Sequence, residues 1–165
     1  MKMHLQVWSG SFLQAFFRVA TTAQSGLLSA AVLAVLQLFT SPAFAAPFTP
    51  ADAKNVRIVI EAQLAAFASD DAPKAFSFAA PNVREAAGSA TSFLAMVRRD
   101  YPVVYRPAST AFLTPEGAGD DVLQRVQMLD ANGDSWLAVY SLQRQKGNVW
   151  RITGCAVVEN KGRMA

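Results

Sequence analysis

The sequence predicts an α+β fold in which N-terminal helices pack on an antiparallel sheet of about five strands, preceded by a signal peptide. Three observations support this prediction. An apolar run with a cleavage motif ends near residue 45, apolar residues then recur every three or four positions, and alternating apolar residues separated by turns follow after residue 102. The 165 residues, of which 52% are hydrophobic and 16% charged, are enough for one domain and too apolar for a disordered protein.

Residues 1–45 have the organisation of a secretory signal peptide. They contain two charged residues, Lys2 and Arg18, and an apolar segment, Leu27–Phe39. Two Ala residues two positions apart end at Ala45, after which cleavage is expected. An uncleaved anchor is the alternative, although a spanning helix needs about 20 apolar residues. The mature protein is therefore expected to be periplasmic or secreted, with membrane contact only through this segment if it is retained.

Removal of this segment changes the charge of the protein. Of the 15 basic residues two are lost and the 12 acidic residues all remain, so the formal charge falls from +3 to about +1. The mature chain therefore lacks the basic footprint of a nucleic-acid-binding protein, and nucleic acid is not an expected partner. The segment Glu116–Gly119 lacks the Lys and Ser/Thr of a phosphate-binding loop.

Helical signals fill the first half of the expected domain. The predicted boundaries are a linker at 46–51, a single domain at 52–158 and a tail at 159–165. Thr49-Pro50-Ala51-Asp52 has the pattern of a capped helix start, with Thr at the cap and Pro in the first turn. The residues that follow on one face of a helix over about 50–68 are Val56, Ile60, Leu64 and Phe67. Shorter helices are predicted over about 72–79, 81–86 and 90–100.

Strand signals begin after Pro102. A short strand at 103–105 lies between two prolines and is therefore expected at a sheet edge. Another is predicted at 110–113, and residues 116–119 are predicted to form a flexible loop. Three long strands are predicted at 121–129, 135–143 and 149–158.

The turns between the long strands set the register of the sheet. Three-residue loops with Gly in the left-handed position place Met128 opposite Trp136, whereas a two-residue turn would place Leu129 there. The two-residue alternative would also bring Arg125 and Arg151 onto the apolar face, where an unpaired charge is costly. Three-residue loops are therefore predicted. The inner face then consists of Val122, Val126, Met128, Trp136, Ala138, Tyr140, Leu142, Trp150 and Ile152. The outer face consists of Leu123, Arg125, Gln127, Leu137, Val139, Ser141, Gln143, Arg151, Thr153 and Cys155.

The residue types restrict the possible chemistry. His4 is the single His of the chain and lies in the predicted leader, so the mature chain has none. This excludes Ser-His-Asp and Cys-His nucleophilic sites and removes the commonest general base near neutral pH. With one Cys and no His, no structural zinc site is expected, and neither a metal nor another cofactor is predicted. Cys155 is interpreted as a small apolar strand residue.

Carboxylates are the remaining candidates for acid–base chemistry. Asp70 and Asp71, between two helices, are interpreted as helix caps, with a general base at a pocket mouth as the alternative. The segment Asp130–Asp134 is interpreted as a hairpin turn rather than a calcium loop, because the terminal Glu of an EF-hand is absent.

Two groups of residues are candidates for ligand binding. Arg84, Arg98 and Arg99 lie near predicted helix ends, where they would either clamp an anion or remain solvated. Aromatic residues at alternating strand positions would either fill the core or line a cavity. The predicted ligand-pocket residues are Phe67, Phe76, Arg84, Tyr101, Trp136, Tyr140 and Trp150. No catalytic residue is predicted.

Several segments resemble a known family. They are Gln63–Phe67, Asp70-Asp71, Ala75-Phe76, Pro81, Arg84, Phe93–Arg98, Tyr101, Trp136–Tyr140, Arg144-Gln145, Trp150–Ile152 and Gly154-Cys155. Over about 55–157 the chain resembles a bacterial family of exported domains, domain of unknown function 4864. In shape it also resembles the nuclear-transport-factor-2-like and SnoaL-like cone fold, in which a curved sheet wraps a long N-terminal helix and leaves a pocket at its open end.

This resemblance implies a cystatin-like cone and a periplasmic setting, and it implies no activity. One departure from the family pattern is visible, because Ala87-Gly88 stands where Phe-Gly is expected before the fourth helix. The smaller side chain is expected to reshape the corner formed by the short helices.

The sequence is compatible with two functions from different classes. The favoured one is a non-catalytic exported domain that binds a small apolar or anionic ligand, or a protein partner. The alternative is a cone-fold isomerase, cyclase or lyase, with Asp70 or Asp71 as base and Tyr101 or Tyr140 as acid. The apolar residues of the outer face also predict a homodimer through that face, since large exposed apolar patches mark interfaces.

Overall fold

A computed structural model of the chain describes residues 47–160 and a two-residue strand, β1, at Gln6–Val7. Apart from β1, the predicted signal peptide lies outside the described residues, as do the last five residues of the predicted tail. Between residues 47 and 160, five helices come first and five strands follow. The α+β class and an open antiparallel sheet of five strands in this region are therefore confirmed.

The first helix, α1, spans Pro50–Ala68 and begins at the predicted cap. The Thr49 hydroxyl accepts a hydrogen bond from the backbone N–H of Asp52 at 3.2 Å. The Asp52 carboxylate accepts one from the backbone N–H of Thr49 at 2.9 Å, which completes a capping box. The buried face of α1 includes the four apolar residues that the spacing predicted, Val56, Ile60, Leu64 and Phe67.

Three shorter helices follow near their predicted positions: α2 at Ala72–Ser77, α3 at Pro81–Ala87 and α4 at Ala90–Asp100. Asp71 caps α2, because its carboxylate accepts from the backbone N–H of Lys74 at 3.0 Å. The capping interpretation is therefore confirmed for Asp71. Gly88 ends α3 with a φ of +72°, a left-handed conformation that favours glycine.

The predicted edge strand at 103–105 is wrong, because these residues form a fifth helix, α5, at Pro102–Tyr105. Pro102 occupies the start of this helix, where its fixed φ suits the helical conformation and its missing N–H costs nothing. Val103 and Val104 are buried at 4% and 2% exposure, so burial in the core stabilises this turn against their preference for strands.

The sheet contains β2 at Ser109–Phe112, β3 at Glu116–Ala118, β4 at Asp121–Leu129, β5 at Ser135–Gln145 and β6 at Val149–Glu159. Its strand order is β1-β6-β5-β4-β2, and β3 pairs with the beginning of β4. The prediction of a flexible loop at 116–119 is therefore wrong for the first three of these residues, which form β3. Gly117 lies opposite Val122 in that pairing.

The predicted register is confirmed. Met128 pairs with Trp136 across the first turn, and Gln145 pairs with Val149 across the second, as three-residue loops require. The φ angles of Gly133 and Gly147 are +86° and +82°, which places both glycines in the left-handed region. The predicted inner face is buried, except that Trp136 remains partly exposed.

The prediction that Cys155 lies on the outer face is wrong. Ser141 pairs with Gly154 and Leu142 pairs with Ile152, so Thr153 is an extra residue and forms a β-bulge. An extra residue reverses the alternation of side chains beyond it. Cys155 therefore pairs with Tyr140 on the inner face and is 4% exposed.

Helices and inner sheet face share one core. The buried cluster includes Ile60 and Phe67 from α1, Phe93 from α4, and Tyr140 and Ile152 from the sheet. Within the described residues, the members of this core lie between Phe48 and Val157. Backbone bonds also join the loop between α2 and α3 to β6, with Ala80 N donating to Ile152 O at 2.8 Å.

Candidate functional site

The hairpin turn between β4 and β5 is organised by the Asp130 carboxylate. Its Oδ1 accepts from the backbone N–H groups of Asn132 at 2.9 Å and Asp134 at 3.0 Å. Its Oδ2 accepts from Trp136 Nε1 at 2.9 Å. These bonds, led by the one from Trp136, hold the pKa of Asp130 below its usual value. The turn thus fixes the orientation of the indole and keeps a carboxylate ionised beside it.

The junction of α4 and α5 lies near this turn and presents Tyr101. This side chain is 7% exposed, and its burial raises its pKa to about 12. The backbone carbonyl of Tyr101 accepts from Val104 N and Tyr105 N, both at 2.9 Å. The phenol therefore stays protonated at neutral pH, and the backbone of Tyr101 is held by the start of α5.

The junction and the turn enclose a cavity of about 460 Å³, which we call the hairpin cavity. It is lined by Asp100, Tyr101, Pro102, Val103, Arg106, Asp130, Ala131, Asn132, Trp136 and Val157. Aromatic and aliphatic walls with a few fixed polar groups are typical of ligand sites. Of the seven predicted pocket residues, Tyr101 and Trp136 are brought together here.

The other five predicted pocket residues lie elsewhere. Phe67 and Phe76 pack against Phe93, with ring centroids 5.8 and 5.6 Å away, respectively. Tyr140 and Trp150 are 0% and 2% exposed in the core. Arg84 is exposed on α3. None of these five residues lines the hairpin cavity.

A second cavity of about 590 Å³ lies between α3 and α4 and shares Asp100 and Tyr101 with the first. Ala87 lines it, so the position where the family pattern has Phe borders open space. Its remaining walls are largely small or flexible helix side chains such as Ala95 and Met96. The hairpin cavity is the stronger candidate because its indole and carboxylate are fixed by hydrogen bonds.

Asp70 joins three elements outside the hairpin cavity. It accepts a short hydrogen bond from the Tyr105 hydroxyl and pairs with Arg98 at 2.6 Å and Arg106 at 3.2 Å. The two guanidiniums also lie over the Tyr105 ring, at 5.0 and 4.8 Å from its centroid. These contacts, the one with Tyr105 first, lower the pKa of Asp70. Asp70 adopts a left-handed φ of +58°, which suits a tight corner between helices.

The candidate arginine clamp is accordingly occupied by carboxylates. Arg98 pairs with Asp70, and Arg99 pairs with Asp100 at 2.6 Å. Both ion pairs are solvent-exposed, and exposed pairs contribute little to stability. An anionic ligand would have to displace these carboxylates, so the structure does not favour the clamp.

A charged cluster at the other end of α1 was not predicted from the sequence. Arg144 Nη2 lies 3.2 Å from Asp52 Oδ2, and both side chains are largely buried. Arg144 Nε lies 3.2 Å from Asp120 Oδ1 but without the angle of a hydrogen bond. The guanidinium also lies 4.9 Å from the Trp150 ring. Because Asp52 already caps α1, this cluster links the start of the helix to the sheet.

Two buried oxygen atoms of the core, Gln63 Oε1 and the Tyr140 hydroxyl, lack a hydrogen-bond partner of regular geometry among the described residues. Gln63 donates to Ala75 O at 3.1 Å, while its Oε1 has no partner among the described residues. Among the residues that the structure describes, the Tyr140 hydroxyl has no hydrogen-bond partner of regular geometry. Burial raises the pKa values of both Tyr140 and Cys155. Neither group lines the hairpin cavity.

The described residues provide neither a metal-binding cluster nor a membrane-spanning helix. No group of three or more His, Cys, Asp or Glu side chains in that part of the chain could hold a metal ion. None of the helices described there has the length and apolar character needed to cross a membrane.

Comparison with known proteins gives a family and little else. The family model described as domain of unknown function (DUF4864) matches residues 49–165. No curated protein matches the chain significantly. A solved structure of a "known function protein" from Kribbella flavida DSM 17836 is 17% identical, with a TM-score of 0.41, over 63% of this chain and 85% of that one. A likeness this weak assigns neither fold nor function.

Proposed function

The chain belongs to the family of domain of unknown function DUF4864, and from that premise we propose that it is a non-catalytic domain that binds a small ligand in the hairpin cavity. The observation that carries the proposal is the cavity of about 460 Å³ in which Tyr101 and a hydrogen-bonded Trp136 form walls. Fixed aromatic side chains bury the apolar part of a ligand with little loss of conformational entropy.

The proposal includes an exported protein with a cone-like fold. Residues 1–45 supply the signal for export, and cleavage after Ala45 leaves the helices and the strands β2–β6 in the mature chain. The long helix α1 and the antiparallel sheet are the two layers that a cone requires. The mature protein is accordingly proposed to act in the periplasm or outside the cell.

The enzymatic alternative has less support in the geometry. It needs Asp70 or Asp71 close to Tyr101 or Tyr140, whereas Asp70 contacts Tyr105 and Asp71 caps α2. Tyr140 is enclosed in the core. The carboxylate that does line the hairpin cavity, Asp130, has a lowered pKa and is therefore a weak base. Binding without catalysis is the better interpretation.

A retained ligand tests the proposal. The mature domain, residues 46–165, is purified from the periplasm and examined by native mass spectrometry before and after denaturation. We expect a non-covalent adduct that Trp136→Ala loses and that Trp150→Phe, a change in the core outside the cavity, keeps. A folded wild-type domain that carries no adduct and binds no member of a fragment library would refute the proposal.

A homodimer through the outer sheet face is a second proposal. Leu137 lies opposite Val158 and Val139 lies opposite Ala156 on that face, and Leu123 is 46% exposed. Light scattering coupled to size exclusion on residues 46–165 measures the oligomeric state. A monomer at micromolar concentration contradicts the dimer, and Leu137→Lys should dissociate a dimer that forms through this face.

A further inference from the structure

Three charged side chains line the hairpin cavity, and they differ in whether an oppositely charged side chain lies within ion-pair distance. Asp100 is paired with Arg99, and Arg106 shares the Asp70 carboxylate with Arg98. For Asp130, by contrast, no Lys or Arg of the described part of the chain lies within ion-pair distance. Asp130 is half-buried and lines the cavity directly. The cavity therefore contains one carboxylate whose charge has no positive partner.

We infer that the ligand of the hairpin cavity is an organic cation, with an apolar body and an ammonium group that lies near Asp130 and Trp136. This inference rests on the proposed function, since it names the ligand class of the same cavity. It replaces the apolar or anionic ligand expected from the sequence, because Arg98 and Arg99 are already paired with Asp70 and Asp100. Arg84, the third candidate for an anion, does not line the hairpin cavity.

The indole strengthens the preference for a cation. Trp has the aromatic face that attracts cations most strongly, and Trp136 remains partly exposed on the cavity wall. Its N–H donates to Asp130 at 2.9 Å, which places negative charge at the ring edge and makes the π-face more electron-rich. An ammonium group over the ring would thus interact with the indole and the carboxylate together.

The carboxylate also has capacity for another donor. Asp130 Oδ2 accepts from Trp136 Nε1, and a carboxylate oxygen can accept a second hydrogen bond. An ammonium group has several N–H donors, and a charge-assisted hydrogen bond is stronger than one between neutral groups. The apolar remainder of the ligand would contact Val103, Pro102 and Val157, which form the aliphatic part of the wall.

Three probes with one apolar body and different head groups test the inference. They are 4-phenylbutylammonium, 4-phenylbutanol and 4-phenylbutyrate, titrated into residues 46–165 by calorimetry and followed by the NMR signal of the Trp136 indole N–H. We expect the ammonium to bind about tenfold more tightly than the alcohol, and the carboxylate to bind most weakly. Asp130→Asn should reduce ammonium affinity to that of the alcohol.

Matched variants separate a local from a general charge effect. Asp134→Asn removes the same charge from an exposed residue of the same turn, outside the cavity lining, and should keep the tenfold preference. Unchanged affinity for the alcohol in Asp130→Asn shows that the cavity is intact. Equal losses in the two variants would overturn the inference.

The outcomes distinguish the inference from the proposed function. Equal binding of the three probes, or tightest binding of the carboxylate, overturns the organic cation and leaves the proposed function standing. Binding of none of them by a folded domain that also lacks a retained ligand overturns both. A preference for the ammonium that needs Asp130 and not Asp134 supports both.

Discussion

Replacement of Gly117 by Ala tests the position of the first residues after the predicted cleavage site. A Cβ on Gly117 would lie less than 3.0 Å from three carbons of the Phe48 ring. These carbons are Cγ, Cδ1 and Cδ2. Because Cγ lies on the axis of the Cβ–Cγ bond, rotation of the ring about that bond does not move it away from the new Cβ. Phe48 also meets Trp150 edge-on, with ring centroids 5.9 Å apart and an interplanar angle of 76°.

The expected loss of stability in Gly117→Ala has two sources, which are overpacking against Phe48 and a weaker contact between Phe48 and Trp150. Overpacking costs about 1–3 kcal/mol, and an aromatic pair such as Phe48–Trp150 contributes about 0.5–1.5 kcal/mol beyond its area. Removing the conformational freedom of Gly117 offsets about 0.5–1 kcal/mol of this, since its φ is not left-handed. Gly117→Ala should therefore lower the free energy of unfolding by about 2 kcal/mol.

A double-mutant cycle in urea, read by far-UV circular dichroism, measures this coupling. In a Phe48→Ala background no ring opposes the new methyl group, so Gly117→Ala should be neutral or stabilise by about 0.5 kcal/mol. Wild-type stability in Gly117→Ala, or an equal cost of this change with and without Phe48, would contradict a clash between the two residues.

Three further predictions concern buried and capping groups. Tyr140→Phe should change the free energy of unfolding by less than about 0.5 kcal/mol, because the lost hydroxyl has no regular hydrogen bond; a loss above about 1.5 kcal/mol in urea unfolding would reveal a partner. Cys155 should resist thiol reagents at about pH 8 in the native protein and react in urea, because burial raises its pKa; rapid labelling of the native state contradicts this. The pKa of Asp52 is lowered from 3.8, chiefly by the Thr49 hydroxyl, so its ionised form stabilises the fold above that pH, and the stabilisation is lost as pH falls through the folded pKa. Asp52→Asn should therefore be less stable than wild type near neutral pH, with a difference that shrinks in acid, and a constant difference in urea unfolding across pH would contradict the assignment.

The sheet shows what an apolar pattern can predict. The choice of three-residue loops followed from keeping Arg125 and Arg151 off the inner face, and the pairing of Met128 with Trp136 confirms it. The same reasoning failed beyond Thr153, because a bulge adds one residue and alternation alone does not show where it falls. Gly154 is the local signal for it, since an isolated glycine in a strand often marks a bulge.

The helical corner shows how tertiary context overrides local preference. Val103 and Val104 favour strands by type, yet they form α5 because burial against the core outweighs that preference. Glu116–Ala118 has a composition typical of loops, yet it pairs with the start of β4. Neither contact is visible in the sequence, because each depends on residues that come close only after folding.

The candidate site was predicted only in part, again because the sequence does not show contacts that form on folding. Tyr101 and Trp136 line the hairpin cavity, whereas Tyr140 and Trp150 pack in the interior, and alternation gave all the strand aromatics the same inward face. What separates the two Trp residues is the end of the sheet at which each lies. Trp136 lies next to the β4–β5 turn and lines the cavity, whereas Trp150 lies next to the β5–β6 turn and is covered by Phe48 and Arg144. The role of Asp130 depends on its hydrogen bond to Trp136, six residues away, which the register of the turn makes possible.

The direction of α1 places the two ends of the molecule in different surroundings. Phe48 precedes the helix at one pole, while Ala68 at its other end accepts a bond from Arg106, a wall residue of the hairpin cavity. Nineteen helical residues separate these poles by about 28 Å. In a domain cut after Ala45, a tether ahead of Pro47 would therefore be attached at the Phe48 end of α1, and the Arg106 wall of the hairpin cavity lies at the other end of that helix.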